Sequence, residues 1–453
     1  MLESLRQFYK SGKTHPEGFR RACLTELSLE IIKREDEILN ALYLDLGKPA
    51  SEAYVSEVGF VLNEIRYAKK NLHKWMKKRP VKTPLIFRPA RSYILPSPKG
   101  VVLILGPWNY PFQLLMTPLT GAVAAGNCAV LKTSRHTPAT AGVIETIIRN
   151  CFDPDHCRFV PGDHENAGEL INLKWDHIFF TGSTEVGKKV MRRAAEDLIP
   201  ITLELGGKNP CIVFDDADLK ISAERIAWGK FLNAGQTCIA PDTVYCHEDI
   251  KEKFIKILQE VIVRFYGPDP EKSPDFGRII NPNHLRRLAS YLANECKILA
   301  GGRHNEKTLY FEPTVIENIP ESAPIMNEEI FGPVLPVIGF KDIDEIISRL
   351  QGEAHPLALY IFTKNRALQD KLMQAIPSGS VGINETVKQG ATHYLPFGGI
   401  GESGMGMYHG KASFECFSHF KSVMAAGYSG TGFHYPPYGD SIKLIKKIYR
   451  IFH

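Results

Sequence analysis

The sequence predicts a doubly wound α/β protein with two parallel sheets, and three observations carry that expectation. From residue 101 the chain breaks into short apolar runs, VVLIL, CAVLK, RFVPG, HIFFTG, ITLELGG and CIVF, separated by Gly-rich turns and amphipathic stretches. Runs of this kind are buried parallel strands alternating with helices. The alternation continues through DTVYCHE, IKEKFIKILQEVIVRFY, ALYIFT and SVGIN, which extends it to a second sheet. The length of 453 residues exceeds the roughly 150 of one average domain, so two or three domains are expected.

Composition narrows the class. Apolar residues at 44% and charged residues at 23% are globular values and exclude a disordered or collagen-like chain. A net charge of +5 is too small a surplus to make nucleic acid the main partner. Nine cysteines, an odd number without a CxxC pair, point to free thiols in a reducing compartment. The first 21 residues mix acidic and basic side chains where a secretory leader needs an apolar stretch, and no apolar run reaches 18 residues. A cytoplasmic location is the expectation.

The elements follow in order. Residues 1–78 read as helices, with apolar positions three and four apart in CLTELSLEIIKREDEILNALYLDL and VSEVGFVLNEIRYAKKNLHKWM. Residues 79–99 carry five prolines, which favour edge strands or extended connectors. The α/β pattern then runs on to a Gly, Tyr and Pro-rich linker that begins at Ala425. The final SIKLIKKIYRIFH sets Ile442, Leu444, Ile445, Ile448, Ile451 and Phe452 against Lys443, Lys446, Lys447 and Arg450, with no acid, on opposite sides of a helix. Such a segment docks on its own dimer or lies on an anionic membrane.

Four places carry chemistry. Gly182, Ser183, Thr184 and Gly187 stand between a strand and a helix, where free amides bind phosphate, although a tight strand-to-helix turn uses the same residues. Cys128, Cys211 and Cys246 lie in strand-like runs and read as core, whereas Cys238, in FLNAGQTCIAP, follows a helix in a loop of small residues. A free thiol near pKa 8.5 is only about 3% thiolate at pH 7, so a nucleophilic Cys238 requires local activation. Glu204 leaves a strand before a Gly-Gly turn and is either a general base or a carboxylate bonded to turn amides. Asn109 follows another strand and is either an oxyanion donor or a turn residue between two prolines. No HExxH or comparable metal-ligand cluster is present.

GPWNYPF, FTGSTEVG, TLELGGK, GKFLNAGQTC, EEIFGPVLPV, LPFGGIGESGMG and YHGKASFECFSH, in this order across some 300 residues, resemble the NAD(P)-dependent aldehyde dehydrogenase superfamily from about residue 5 to 425. YHGK, the Phe-rich FSH segment, WNYPF and the YPPY tail are similar to its class 3 branch, which acts on medium and long-chain aliphatic and aromatic aldehydes as a dimer. The resemblance implies an NAD(P)-binding domain over 1–80 and 100–204, a catalytic domain over 205–410, a β oligomerisation extension over 81–99 and 411–440, and the tail over 441–453. It makes Cys238 the nucleophile, Asn109 and the Cys238 amide the oxyanion donors, and Glu204 the base that hydrolyses a thioester. It gives Lys132, Trp108, Ser183, Glu329 and Phe331 to the cofactor, beside Gly182 and Gly187, and Phe60, Tyr110, Trp228, Thr237, Phe397 and His409 to a hydrophobic substrate tunnel.

One departure bears on the cofactor. Many relatives read LKPSE, whereas this chain reads LKTSR, with Arg135 replacing a glutamate that bonds the adenosine 2′-hydroxyl. An arginine there pairs with a 2′-phosphate bidentately, which predicts acceptance of NADP beside NAD, unless it points to solvent. Two competing readings are a reductase that passes the acyl group to coenzyme A and a binding protein on an inactive scaffold. The retained Glu204 argues for hydrolysis, and the presence of Cys238, Glu204, Asn109 and Lys132 together argues for an enzyme.

Overall fold

The computed structural model describes residues 1–84, 87–162, 168–293, 296–428 and 435–450. Helices Leu2–Lys10, Glu17–Lys33, Glu35–Leu46, Ala50–Ala53 and Gly59–Met76 open the chain, with a π-helical turn at Tyr54–Val58. The expected apolar spacing becomes buried stripes, such as Leu24, Leu27 and Ile31 on one helix and Val61, Ile65, Ala68 and Leu72 on another.

The first sheet has the order Gly404–Met405, Ile201–Glu204, His177–Thr181, Val101–Leu105, Cys128–Lys132, Cys157–Val160. Its last five strands are parallel, and the two-residue strand at the edge is antiparallel. Val101 to Ile104 are fully buried because helices cover both faces. One covering helix, Gln113–Ala125, is buried along its whole length. From Val101–Leu105 the chain builds outward to Cys157–Val160 and then returns to His177–Thr181 on the other side. This reversal opens a crevice at the carboxyl ends of the strands, where doubly wound proteins bind ligands.

The second sheet runs Lys297–Ala300, Thr314–Glu317, Val334–Phe340, Thr243–His247, Pro210–Val213, Ala358–Phe362, Ser380–Ile383. It too is parallel except for one antiparallel edge, Lys297–Ala300. The two parallel sheets are as expected, each with one antiparallel strand added at an edge. Gly404–Met405, which the sequence boundaries place in the catalytic half, pairs with Leu203 and Glu204 of the first sheet. Cys128, Cys211 and Cys246 are fully buried and serve packing, as expected.

A third, antiparallel sheet joins Arg79–Val81, Arg91–Pro98 and Ser418–Ala425. Pro96 and Pro98 are tolerated in its middle strand because Arg79–Val81 reaches only Ser92, Tyr93 and Ile94. Helix Ser441–Arg450 forms the tail, and Ile451 and Phe452, expected on its apolar side, lie outside the described residues.

Candidate active site

The loops at the carboxyl ends of both sheets converge on two cavities, and Cys238 lines both. The segment that carries it turns sharply after helix Leu219–Phe231. Asn233 and Ala234 have φ of 52° and 51°, and Gly235 follows at 76°. A methyl on Gly235 would stand 2.3 Å from the Gly332 carbonyl carbon, so only glycine lets this loop press against the loop carrying Phe331. Phe331 at 47° and His409 at 74° add two more left-handed residues around the site. Each such residue costs on the order of 1–3 kcal/mol and persists only where surrounding contacts enforce it. Here Asn209 enforces part of it, donating to the carbonyls of Cys238 (2.8 Å) and Ala240 (3.0 Å) while accepting from the Ala358 amide (2.8 Å).

Cys238 is half-buried. Burial pushes its thiol well above the ordinary range, the carboxyl groups of Glu329 and Glu204 push it further, and the amides of Cys238 and Ile239 oppose them. The opposing amides are the same kind of donors that receive an oxyanion.

Glu204 is 2% exposed, and neither carboxylate oxygen has a partner. The alternative of a carboxylate bonded to turn amides is therefore excluded. Its backbone is fixed on both sides: the Gly182 amide donates to the Glu204 carbonyl (3.0 Å), and the Leu205 amide donates to the Ser403 carbonyl (3.1 Å). Burial without a compensating partner raises its pKa well above the ordinary carboxylate value. Asn109 is 3% exposed, and one hydrogen of its side-chain amide is committed to the Gln236 carbonyl at 3.0 Å. The amide has a second hydrogen, free for an oxyanion.

The larger cavity, about 670 Å³, lies within the usual range for small-molecule sites. All six expected tunnel residues, Phe60, Tyr110, Trp228, Thr237, Phe397 and His409, line it. His409 packs against the rings of Phe60 and Phe397, both at 5.1 Å. Burial, with His393 nearby, holds its pKa down to about 3, so it is a neutral aromatic wall. Tyr110 and Thr237 share a 2.6 Å hydrogen bond. Glu52 also lines this cavity, accepts from the Asn233 amide at 2.8 Å and is pushed by burial to about 7.

The smaller cavity, about 230 Å³, is lined by Trp108, Asn109, Gly182, Ser183, Glu204, Glu329 and Phe331 among others. Its features fit a dinucleotide. Gly206 leaves room for a carboxylate where a methyl would stand 2.1 Å from Glu329 Oε2. Glu329 Oε1 is buried without a partner, and burial, with Asp242 beside it, lifts the group to about 8. Phe331 meets Trp108 edge to face at 5.3 Å. Ser183 caps helix Thr184–Glu196 by accepting from the Val186 amide. Gly187 is buried inside that helix, where a methyl would strike Leu205 at 2.6 Å, so it serves close packing of helix on sheet. Lys132 is half-buried at its strand end and donates to the Thr133 carbonyl at 3.2 Å; Arg135 is exposed close by, outside the cavity.

Sequence reasoning missed His284 and Arg287. Both line the smaller cavity, and Arg287 donates to the carbonyls of Glu329 (3.1 Å) and Ile330 (2.7 Å). The run NPNHLRRLASYL reads as an ordinary amphipathic helix, and nothing in it marks these two residues.

An aldehyde dehydrogenase family model matches residues 4–423. The chain is 43% identical to a 4,4'-diaponeurosporen-aldehyde dehydrogenase of Staphylococcus aureus, over 98% of this chain and 97% of that protein. It is 42% identical to mouse aldehyde dehydrogenase family 3 member A2, over 96% and 91%. A substrate-bound Staphylococcus aureus AldH structure superposes with a TM-score of 0.96 at 42% identity, covering 99% of this chain and 98% of that one. A Staphylococcus aureus betaine aldehyde dehydrogenase in complex with NAD+ superposes with a TM-score of 0.85 at 28% identity, covering 94% and 87%.

Proposed function

Because the chain belongs to the aldehyde dehydrogenase family, among relatives of its class 3 branch, we propose that it oxidises hydrophobic aldehydes, medium or long-chain aliphatic or aromatic, to carboxylic acids through a thioester on Cys238. It is an NAD(P)-dependent oxidoreductase. The observation that carries the reading is that one thiol lines both an aromatic cavity and a polar one containing two buried carboxyl groups. The aldehyde chain occupies the aromatic cavity, where burial of apolar surface contributes about 25 cal/mol per Å². That the similar Staphylococcus aureus protein is named for a diaponeurosporen aldehyde supports a large apolar substrate.

Cys238 gives up its proton to solvent and its sulfur bonds to the aldehyde carbon. The carbonyl electron pair moves to oxygen, and the free hydrogen of the Asn109 amide and the Cys238 amide receive that charge. Glu329, Trp108 and Phe331, which line the smaller cavity, would hold the nicotinamide half of a bound NAD(P). When bound, the cofactor would supply the hydride acceptor that takes the carbon on Cys238 to the oxidation level of an acid. Glu204, in its ionised form, then accepts a proton from water and directs the hydroxyl to the thioester carbon. The C–S bond breaks and the thiol is restored. Lys132 bonds the adenosine ribose, and Arg135 admits a 2′-phosphate.

The exposed outer strand Ser418–Ala425, whose far edge is unpaired among the described residues, supports a homodimer built through this sheet. The basic side of helix Ser441–Arg450 supports peripheral contact of a cytoplasmic protein with an anionic membrane. Among the described residues no helix is long and apolar enough to cross one.

The test is a single-turnover mixture of protein, cofactor and benzaldehyde or hexanal, followed by absorbance of the reduced cofactor. A rise that Cys238→Ser abolishes supports the reading. No rise with either cofactor, or turnover only on adding coenzyme A, refutes it.

A further inference from the structure

A fully buried ion pair lies outside the reacting groups and touches the loop that carries one of them. Lys48 and Glu57 are both 0% exposed, and the Lys48 ammonium donates to Glu57 Oε1. Taking two charges from water costs several kcal/mol per ion, and the pair is weak evidence for stability. Its other partners point to a different task. The Lys48 ammonium also donates to the backbone carbonyl of Asn109 (3.2 Å) and stands 4.1 Å from the centre of the Tyr110 ring. Glu57 Oε2 accepts from the amides of Phe112 (2.9 Å) and Gln113 (3.1 Å), where helix Gln113–Ala125 begins. Glu57 comes from the π-helical turn Tyr54–Val58, an insertion that recurs at functional sites. The pair thus grips residues 109–113 at their start and end.

The same grip extends to the nucleophile's loop. The Asn109 carbonyl takes a second hydrogen bond, from Asn233 Nδ2 at 2.8 Å, which uses both of its lone pairs. Asn233 Nδ2 also donates to the Gln236 carbonyl at 3.2 Å, the acceptor that holds the Asn109 side chain. Gln236 is fixed in turn by donating to the Arg278 carbonyl (2.9 Å) and accepting from the Ile280 amide (2.9 Å). Both donations of the Asn233 side-chain amide are thus engaged, although its Oδ1 has no partner, and the Asn109 side chain is held through its own bond to the Gln236 carbonyl.

We infer that Lys48, paired with Glu57, is a positioning residue that aims the Asn109 side chain at the oxygen developing on the Cys238 adduct. The inference rests on the oxyanion role of Asn109 proposed above. A charge is used where an apolar side chain would fill the space because only a donor can reach the Asn109 carbonyl and the Glu57 carboxylate together.

The test is a double-mutant cycle. Lys48→Met, Asn109→Ala and their combination are compared in kcat and in KM for cofactor, using the full chain and one hydrophobic aldehyde. Misaiming a reacting group by about 1 Å costs up to roughly 100-fold, so Lys48→Met should lower kcat about 10- to 100-fold. It should leave the cofactor KM within about 2-fold. In the Asn109→Ala background the same substitution should cost no more than about 2-fold, because residues acting as a unit are not additive. Lys48→Met/Glu57→Gln neutralises both charges at similar volume and leaves no buried ion unpaired, so it carries the test should the single variant fail to fold. Full additivity, or a wild-type kcat in the folded doubly neutral variant, overturns the inference. A wild-type kcat in Asn109→Ala alone shows instead that the oxyanion reading has failed, and the positioning role with it.

Discussion

Glu204→Gln separates the two halves of the reaction. The substitution keeps the volume and shape of a side chain that is 2% exposed and makes no hydrogen bond through either oxygen, so it removes the proton acceptor and little else. On the proposed mechanism the hydride step uses Cys238 and Asn109 and should persist, while hydrolysis loses a general base, an effect of about 100- to 10,000-fold. In stopped flow, mixing enzyme and cofactor with excess aldehyde should give a burst of one reduced cofactor per Cys238. Steady turnover should then be at least about 100-fold slower than wild type. In the wild type, deacylation should rise with pH over a range well above ordinary carboxylates, since Glu204 must lose its proton to act. That limb should vanish in the variant. The sign for stability follows. A carboxyl group whose folded pKa is raised costs the fold nothing below its unfolded value near 4.3 and costs progressively more as pH climbs toward its folded value. Glu204→Gln should therefore raise Tm at pH 8 and converge with wild type toward pH 4. A variant that loses burst and steady state in equal proportion, or is less stable at pH 8, refutes the reasoning.

Other outcomes follow from the same geometry. Asn109→Ala removes an oxyanion donor and should lower kcat about 100- to 1,000-fold, read in initial rates at saturating aldehyde. Arg135→Glu should shift the ratio of kcat/KM for NADP over NAD about 10- to 150-fold toward NAD, the weight of one charged hydrogen bond; an unchanged ratio means the arginine contributes nothing. Gly206→Ala places a methyl 2.1 Å from Glu329 Oε2 without left-handed strain, so it should displace that carboxylate and raise the cofactor KM about 10-fold or more, read in initial rates at saturating aldehyde.

The strands, the crevice and the residues at strand exits were legible because each depends on local pattern. A buried parallel strand must be apolar throughout, and the chain must turn tightly where it leaves the sheet, which exposed Glu204, Asn109 and Gly182 to inspection. The edge strands Gly404–Met405 and Lys297–Ala300 were not legible, being short and held by pairing partners distant in sequence. The role of Cys238 was legible only in part. Its loop looked reactive, but its raised pKa follows from burial beside Glu329 and Glu204, residues 91 and 34 positions away in sequence, which no local window contains. Arg287 escaped for a related reason, since it donates to carbonyls across the fold, and His284 because only the fold brings it to the smaller cavity. Lys48 and Glu57 were invisible because a charged residue in a helical segment normally faces water.

The proposed reaction passes through a covalent acyl–sulfur bond, and that bond can be weighed. Glu204→Gln incubated with cofactor and benzaldehyde, quenched in acid and digested, should yield the peptide containing Cys238 heavier by one benzoyl group in place of hydrogen, with no such gain in Cys238→Ser. Acyl mass on any other residue, or an unmodified Cys238 peptide after a full burst, contradicts it.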